Sequence, residues 1–213
     1  LALSSGIARA PGQAGFDADR QCGAYYTSGL DGWPMGYPRE SPACKKSGGG
    51  GGGGQALLHD PAALELTIRV PQNARGFSFD TSFYTYEYPD YICSRYNDYF
   101  LVLMDPAPSE YPDGNLVFDS EGNWISVNNG LLQVCSPGEH QGKTFSCPLG
   151  SARLKGTGYA DGETACGEGA GTGWLKTVVP VIPGSEIRLR FVIWDTGDPS
   201  RDSTALIDHH GRA

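Results

Sequence analysis

The sequence is short of charged residues, histidine and long apolar runs. Charged side chains make up 19% of the 213 residues, against about 25% in an average soluble domain. Acidic residues outnumber basic ones by 24 to 16, which leaves a net charge of −8. The only adjacent pair of cations is Lys45-Lys46. A nucleic-acid partner is therefore not expected, because such proteins carry a basic patch or stripe.

No apolar stretch approaches the roughly 20 residues that a membrane-spanning helix needs. The first residues, Leu1 to Ser5, also lack the basic region and the long apolar region of a signal peptide. We therefore expect a soluble chain without a membrane span, from which any export signal is missing or already removed.

Motifs for catalysis are missing as well. The four histidines are not paired locally with a nucleophile, and neither G-x-S-x-G nor H-E-x-x-H occurs. The Gly142-Lys143-Thr144 tripeptide lacks the upstream glycine and the following helix of a phosphate-binding loop. We expect a non-enzymatic protein, although a triad assembled only in space stays open.

The six cysteines are an even number at wide spacings, without a C-x-x-C pair. This argues against a structural zinc site, and their loop contexts favour disulfides over reduced core thiols. Disulfides indicate an oxidising compartment, which places the protein outside the cell or on its surface. Fifteen pairings are open. The nearest-neighbour hypothesis pairs Cys22 with Cys44, Cys93 with Cys135, and Cys147 with Cys166.

Glycine and proline are abundant, at 31 and 15 residues, and no convincing amphipathic helix is present. Residues 1–213 are interpreted as one domain, with a loop excursion at about 21–60, closed by Cys22 and Cys44, that contains the tether Gly48 to Gly54. After it, alternation of apolar and polar residues predicts some eight or nine strands. The predicted fold is all-β, an antiparallel β-sandwich or jelly roll.

Several strands can be placed individually. The alternation predicts strands from Ala63 to Val70, over Phe77 to Thr85 and from Ser203 to Ile207, and short apolar runs predict others. Turn signals predict hairpins that join Asn115–Phe118 to Trp124–Val127 and Leu175–Val181 to Glu186–Trp194, and a strand over Leu131–Val134. We also expect Leu1 to Ala8 to pair with a sheet, in its own subunit or in a neighbour.

Acidic and amide side chains gather where two of the strands end. One group is Glu87, Asp90, Asn97 and Asp98, and the other is Asp195, Asp198 and Asp202. So many oxygens would repel one another unless neutralised, and Ca²⁺ takes six to eight oxygen ligands. The predicted calcium ligands are Glu87, Asn97, Asp98, Asp195, Asp198 and Asp202. The alternative is that they are solvated loop acids. Asp119 to Asn123 is a weaker candidate, which a hairpin turn also explains.

Four aromatic residues of the early loop, Tyr25, Tyr26, Trp33 and Tyr37, are candidates for ligand contact. In a polar loop, large amphipathic rings stack on sugars or anchor an interface. The alternative for such rings is that they complete the core.

Ordered motifs between Leu64 and Asp208 resemble the choice-of-anchor L domain of secreted bacterial surface proteins. The motifs are Phe77–Asp80, Glu87–Tyr91, Tyr96–Phe100, Gly171–Leu175, Asp195–Asp198 and Asp202-Ser203. The resemblance implies an extracellular β-sandwich without an established enzymatic activity.

Three functional hypotheses follow. The first is a non-enzymatic, calcium-stabilised extracellular or cell-surface module for adhesion or glycan binding, whose partner is a glycan or a surface protein. The second is a structural subunit of a surface assembly or filament, a homo-oligomer joined by strand complementation through its terminal strands. The third is a secreted hydrolase.

Overall fold

The computed structural model describes residues 1–9, 11–17, 22, 44, 58–94, 96–120, 122–128 and 131–208. Almost all regular structure in these residues is β-strand. The strands are β1 (Ala2–Ser4), β2 (Leu58–Arg69), β3 (Gly76–Thr85), β4 (Tyr99–Asp105), β5 (Ile125–Ser126), β6 (Gly138–His140), β7 (Lys143–Phe145), β8 (Ala170–Gly171), β9 (Leu175–Pro180), β10 (Glu186–Thr196) and β11 (Ser203–Asp208). A short 3₁₀ helix covers Ser151–Leu154.

The strands form two main antiparallel sheets and a small hairpin. The first sheet has the order β1-β11-β3-β8, with β9 also paired to β3. The second has the order β2-β10-β4-β5, and β6 pairs with β7. The all-β, antiparallel fold class is confirmed.

The main apolar core lies between the two sheets. Phe79 on β3 meets Phe191 on β10 edge to face, with ring centroids 5.6 Å apart. Phe83 and Val179 from the first sheet and Val102 and Leu189 from the second are in the same buried cluster. Successive strand side chains point to opposite faces, so the alternating apolar residues of each strand supply this shared, sandwich-like core.

The predicted N-terminal pairing is confirmed over Ala2–Ser4, and it occurs within the chain. β1 lies antiparallel to β11, with Ala2 opposite Leu206 and Ser4 opposite Thr204. The backbone nitrogen of Leu1 donates to the Ile207 carbonyl at 2.9 Å, and the Ile207 N–H donates back to Leu1 at 2.8 Å. β1 thus covers the edge that β11 would otherwise expose.

Two strand predictions are wrong. The predicted hairpin between Leu175–Val181 and Glu186–Trp194 does not form, because β9 pairs with β3 and β10 pairs with β2 and β4. The Pro183-Gly184 turn therefore carries the chain from one sheet to the other. Leu131–Val134 is not a strand, and only Val134 forms an isolated bridge, to Gly171.

Other boundaries differ in detail. β2 begins at Leu58, so the predicted excursion at about 21–60 overlaps a strand. The turn between Asn115–Phe118 and Trp124–Val127 closes through a bridge between Phe118 and Trp124. The glycine tether lies outside the described residues.

All six cysteines form disulfides, as predicted, but the predicted pairing is wrong. The bonds join Cys22 to Cys166, Cys44 to Cys93, and Cys135 to Cys147. Cys22 and Cys44 therefore do not close a loop of their own; each joins the early segment to a distant part of the chain. A nearest-neighbour rule fails because pairing depends on spatial proximity.

In the described part of the chain, no helix is long and apolar enough to cross a membrane.

Candidate functional site

The ends of four strands meet at one end of the two sheets. β3 and β10 finish there, and β4 and β11 begin there, because antiparallel neighbours run in opposite directions. Each of these ends carries an acidic residue, namely Glu87, Asp98, Asp195 and Asp202. We call these four residues the carboxylate cluster. Their exposed fractions are 2%, 0%, 0% and 3%.

Asp98 and Asp195 are cross-strand neighbours. The β4–β10 ladder ends with Tyr99 paired to Trp194, and the next residues, Asp98 and Asp195, lie close enough for their side chains to interact. Like charges in this position are destabilising. Asp98 is partly satisfied, since the Thr196 N–H donates to it at 3.2 Å and the Ser203 hydroxyl at 2.6 Å. Burial still raises the pKa of Asp98 to about 7.

The Asp195 carboxylate accepts fewer hydrogen bonds than that of Asp98. Neither of its carboxylate oxygens accepts a hydrogen bond within the described residues. The nearby Ser5 hydroxyl donates its proton to the Ser203 carbonyl at 3.3 Å. Burial, followed by the charges of Asp98 and Asp202, raises the pKa of Asp195 well above its ordinary value.

Glu87 lies just beyond the end of β3. Burial is the main cause that raises its pKa well above the ordinary value, and the charges of Asp98 and Asp198 add to it. Arg201 opposes this shift, but its guanidinium donates to the Tyr86 carbonyl at 3.3 Å and pairs with Asp90 at 3.3 Å. The arginine is therefore held at the rim and does not neutralise the interior of the cluster.

Asp202 packs against the N-terminal segment. A Cβ atom on Gly6 would lie 1.5 Å from the Asp202 Oδ2 atom, so only glycine fits at this position. Burial raises the pKa of Asp202 to about 8, and the charges of Asp98 and Asp60 contribute. The Asp202 Oδ2, the Glu87 Oε2 and the neighbouring Asn97 Oδ1 atoms are buried without a hydrogen-bond partner in the described chain.

The interpretation of these residues as solvated loop acids is therefore wrong for Glu87, Asn97, Asp98, Asp195 and Asp202, all of which are buried. Asp198 is half-buried, and its carboxylate accepts the Ser200 N–H at 3.0 Å in a turn. No group of three or more His, Cys, Asp or Glu side chains in the described ranges has an arrangement that could hold a metal ion.

The weaker calcium candidate is a closed turn. The Asp119 carboxylate accepts the Asn123 backbone N–H at 2.8 Å and its side-chain amide at 2.9 and 3.1 Å. The carboxylate is thus already satisfied by the turn.

The ligand-contact candidates Tyr25, Tyr26, Trp33 and Tyr37 lie outside the described residues.

Sequence reasoning missed three contributors to the site, Ser5, Gly6 and Ser203. Ser5 and Ser203 exchange backbone and side-chain hydrogen bonds of 3.0 to 3.3 Å, which fix the end of β1 beside the cluster. The sequence held one indication of their role. The expected pairing of the first residues with a sheet brings Ser5 and Gly6 to the end of a strand.

Comparisons with protein-family models, with curated proteins and with solved structures each found no match.

Proposed function

We propose that the protein is a non-enzymatic extracellular binding module, for adhesion or glycan recognition, whose loop end is held together by Ca²⁺. Three disulfides support an oxidising, extracellular setting. The motifs that resemble the choice-of-anchor L domain support the same setting and a surface role.

The observation that carries the calcium proposal is the set of buried oxygens without partners. A buried, unpaired carboxylate is costly, and facing carboxylates cannot all ionise without a counter-charge. Ca²⁺ supplies two positive charges and accepts carboxylate, amide and carbonyl oxygens in a flexible shell. The proposed ligands are Glu87, Asn97, Asp98, Asp195 and Asp202, with Asp198 at the rim. Because the carboxylates do not already form a metal-holding group, binding requires side-chain rotation toward a shared ion.

The same burial favours a binding module over a hydrolase. Side chains with 0 to 3% exposure cannot touch a substrate, so these carboxyls are unsuited to general acid–base catalysis. A filament subunit joined through an N-terminal strand is also disfavoured, since β1 already occupies the edge of β11 in its own chain.

Calorimetric titration of the chelator-treated protein with Ca²⁺ tests the proposal, with Mg²⁺ as the comparison ion. We expect saturable calcium binding. At one hundred times the dissociation constant, the ion would add about 2.7 kcal/mol to the free energy of unfolding. The variant Asp195→Asn should lose most of this gain, whereas Asp105→Asn, at an exposed position at the far end of β4, should keep it. An identical melting temperature in Ca²⁺ and in EDTA would refute the calcium proposal.

A further inference from the structure

A cavity of about 420 Å³ lies on the outer face of the first sheet, away from the shared core. Its floor includes Ala2 of β1, Thr204 and Leu206 of β11, and Tyr84 of β3. One wall is formed by Ile7, Ala8, Arg9 and Gln13, and the other by Gly156, Thr157 and Tyr159. The volume falls within the range of about 300 to 1,000 Å³ typical of small-ligand sites. We call this cavity the tyrosine pocket.

The ring of Tyr84 is held by its neighbours. It stacks on Tyr159 with centroids 5.5 Å apart, and Tyr159 stacks on Tyr86 at 4.3 Å. Gly171 lies opposite Tyr84 on β8, and a Cβ there would come within 2.9 Å of the ring. The missing side chain of Gly171 therefore makes room for the tyrosine ring, which is half-buried and lines the pocket.

The polar part of the floor is also fixed in place. The Tyr159 hydroxyl donates to the Thr204 hydroxyl at 2.9 Å, and Thr204 donates to the Ser4 hydroxyl at 2.8 Å. Ser4 in turn donates to the Ser203 carbonyl at 3.0 Å. In this series of hydrogen bonds each hydroxyl donates its proton to the next group, so the Thr204 hydroxyl is held in a fixed orientation. The pocket thus combines an aromatic and aliphatic surface with ordered polar groups.

We propose that the tyrosine pocket binds a sugar ring, with the ring's apolar face on Tyr84 and its hydroxyls toward the polar part of the floor at Thr204. A pyranose presents C–H groups on one face and hydroxyls around its edge, which matches an amphipathic aromatic beside polar side chains. This inference rests on the proposed function as a binding module and specifies its ligand class.

The pocket is joined to the carboxylate cluster by two short segments. Gly6 contacts Asp202, and the next residues, Ile7 to Arg9, line the pocket. On the other side, Asp202 is two residues before Thr204, and the Tyr159 hydroxyl lies 3.4 Å from the Asp202 carbonyl oxygen. A change in the position of Asp202 is thus transmitted to both the wall and the floor. Sugar binding in this pocket should therefore be tighter with calcium than with EDTA.

The test is binding of the calcium-loaded protein to an array of neutral, uronic-acid and sialylated oligosaccharides, followed by calorimetry with the strongest binder. Tyr84→Ala removes the platform, and Ala8→Trp fills the cavity without removing an existing ring. Each should weaken binding about tenfold or more, in line with the loss of an aromatic anchor. Trp174→Ala is the control, because this exposed aromatic does not line the pocket.

The outcomes separate the ligand class from the proposed function. The sugar-binding proposal is supported if both pocket variants lose sugar binding and Trp174→Ala keeps it. All three variants should also keep the calcium-dependent shift in melting temperature. No binding on the array, or binding that survives both pocket variants, overturns the sugar-binding proposal. If calcium leaves the melting temperature of every variant unchanged, the metal proposal fails, and the sugar result still decides the pocket.

Discussion

Gly6 and Asp202 meet just beyond the end of β1 and just before the start of β11, and the carboxylate occupies the space of the missing side chain. The paired register of the two strands stops at Ser4 and Thr204, two residues from this contact, and a Cβ on Gly6 would lie 1.5 Å from Oδ2 of Asp202. The first residues of the chain therefore determine how close an acidic group can approach the sheet. This contact also joins the carboxylate cluster to the wall of the tyrosine pocket.

The first prediction concerns this contact. Gly6→Ala should lower the free energy of unfolding by about 1 to 3 kcal/mol, because the added methyl group overlaps a buried carboxylate. In an Asp202→Ala background the same change should cost much less. Chemical denaturation of the four proteins of this double-mutant cycle measures the coupling. Additive effects would show that the two residues do not constrain each other.

The second prediction is that the effect of Asp195→Asn on the stability of the protein changes sign when calcium is added. Without calcium, the buried Asp195 carboxyl must either carry a charge beside Asp98 or hold a proton that it would release in the unfolded chain, and both cost stability. Asp195→Asn removes this cost and should stabilise the protein by about 1 kcal/mol or more. With calcium it removes a ligand and should destabilise the protein. Melting curves of the variant and the wild type in EDTA and in excess Ca²⁺ give both values. Destabilisation of similar size in both conditions would assign Asp195 a structural role without a metal.

The third prediction is the pH dependence of the calcium-free protein. Burial raises the pKa of Asp98 to about 7 and that of Asp202 to about 8, whereas an aspartate in an unfolded chain titrates near 3.9. Between about pH 4 and pH 8 the native state therefore holds protons that the unfolded chain has released. Stability in EDTA should fall as pH rises through this window.

Calcium should change that dependence, because metal ligation needs deprotonated carboxylates. Melting temperatures across the same pH range with excess Ca²⁺ should be flat or should rise with pH. A calcium-free protein that becomes more stable from pH 5 to pH 8 would contradict the raised pKa values.

The fourth prediction ranks the disulfides. The bonded cysteines are 144, 49 and 12 residues apart, for Cys22–Cys166, Cys44–Cys93 and Cys135–Cys147 respectively. In the chain-entropy treatment these cross-links contribute about 5, 4 and 3 kcal/mol. Replacing each pair with alanines should lower stability in that order. Peptide mapping under non-reducing conditions checks the pairing, and a fragment that links Cys22 to Cys44 would contradict it.

The regular strands could be predicted from local sequence. In β3 and β10, apolar residues such as Phe79, Phe83, Leu189 and Phe191 lie two or four positions apart, and strand geometry sends them to one face whatever their partners are. The acidic residues at the strand ends could also be identified, as could the formation of disulfides by all six cysteines. These features depend on neighbours within a few residues.

Pairing between distant segments could not be predicted in this way. The Pro183-Gly184 turn is compatible with a hairpin, yet β9 and β10 belong to different sheets because each finds its hydrogen-bond partners elsewhere. The disulfide partners are likewise set by which loops the sheets bring within bonding distance.

The sequence by itself determined the all-β class, the composition of the strand ends and the oxidised state of the cysteines, because each depends on local periodicity, residue type and cysteine count. Only the tertiary structure decided that Asp98 lies beside Asp195, that Gly6 receives the Asp202 carboxylate, and that Tyr84 lines a cavity. Those contacts join residues up to 196 positions apart, and the pairing of distant strands, which no single strand specifies, brings them together.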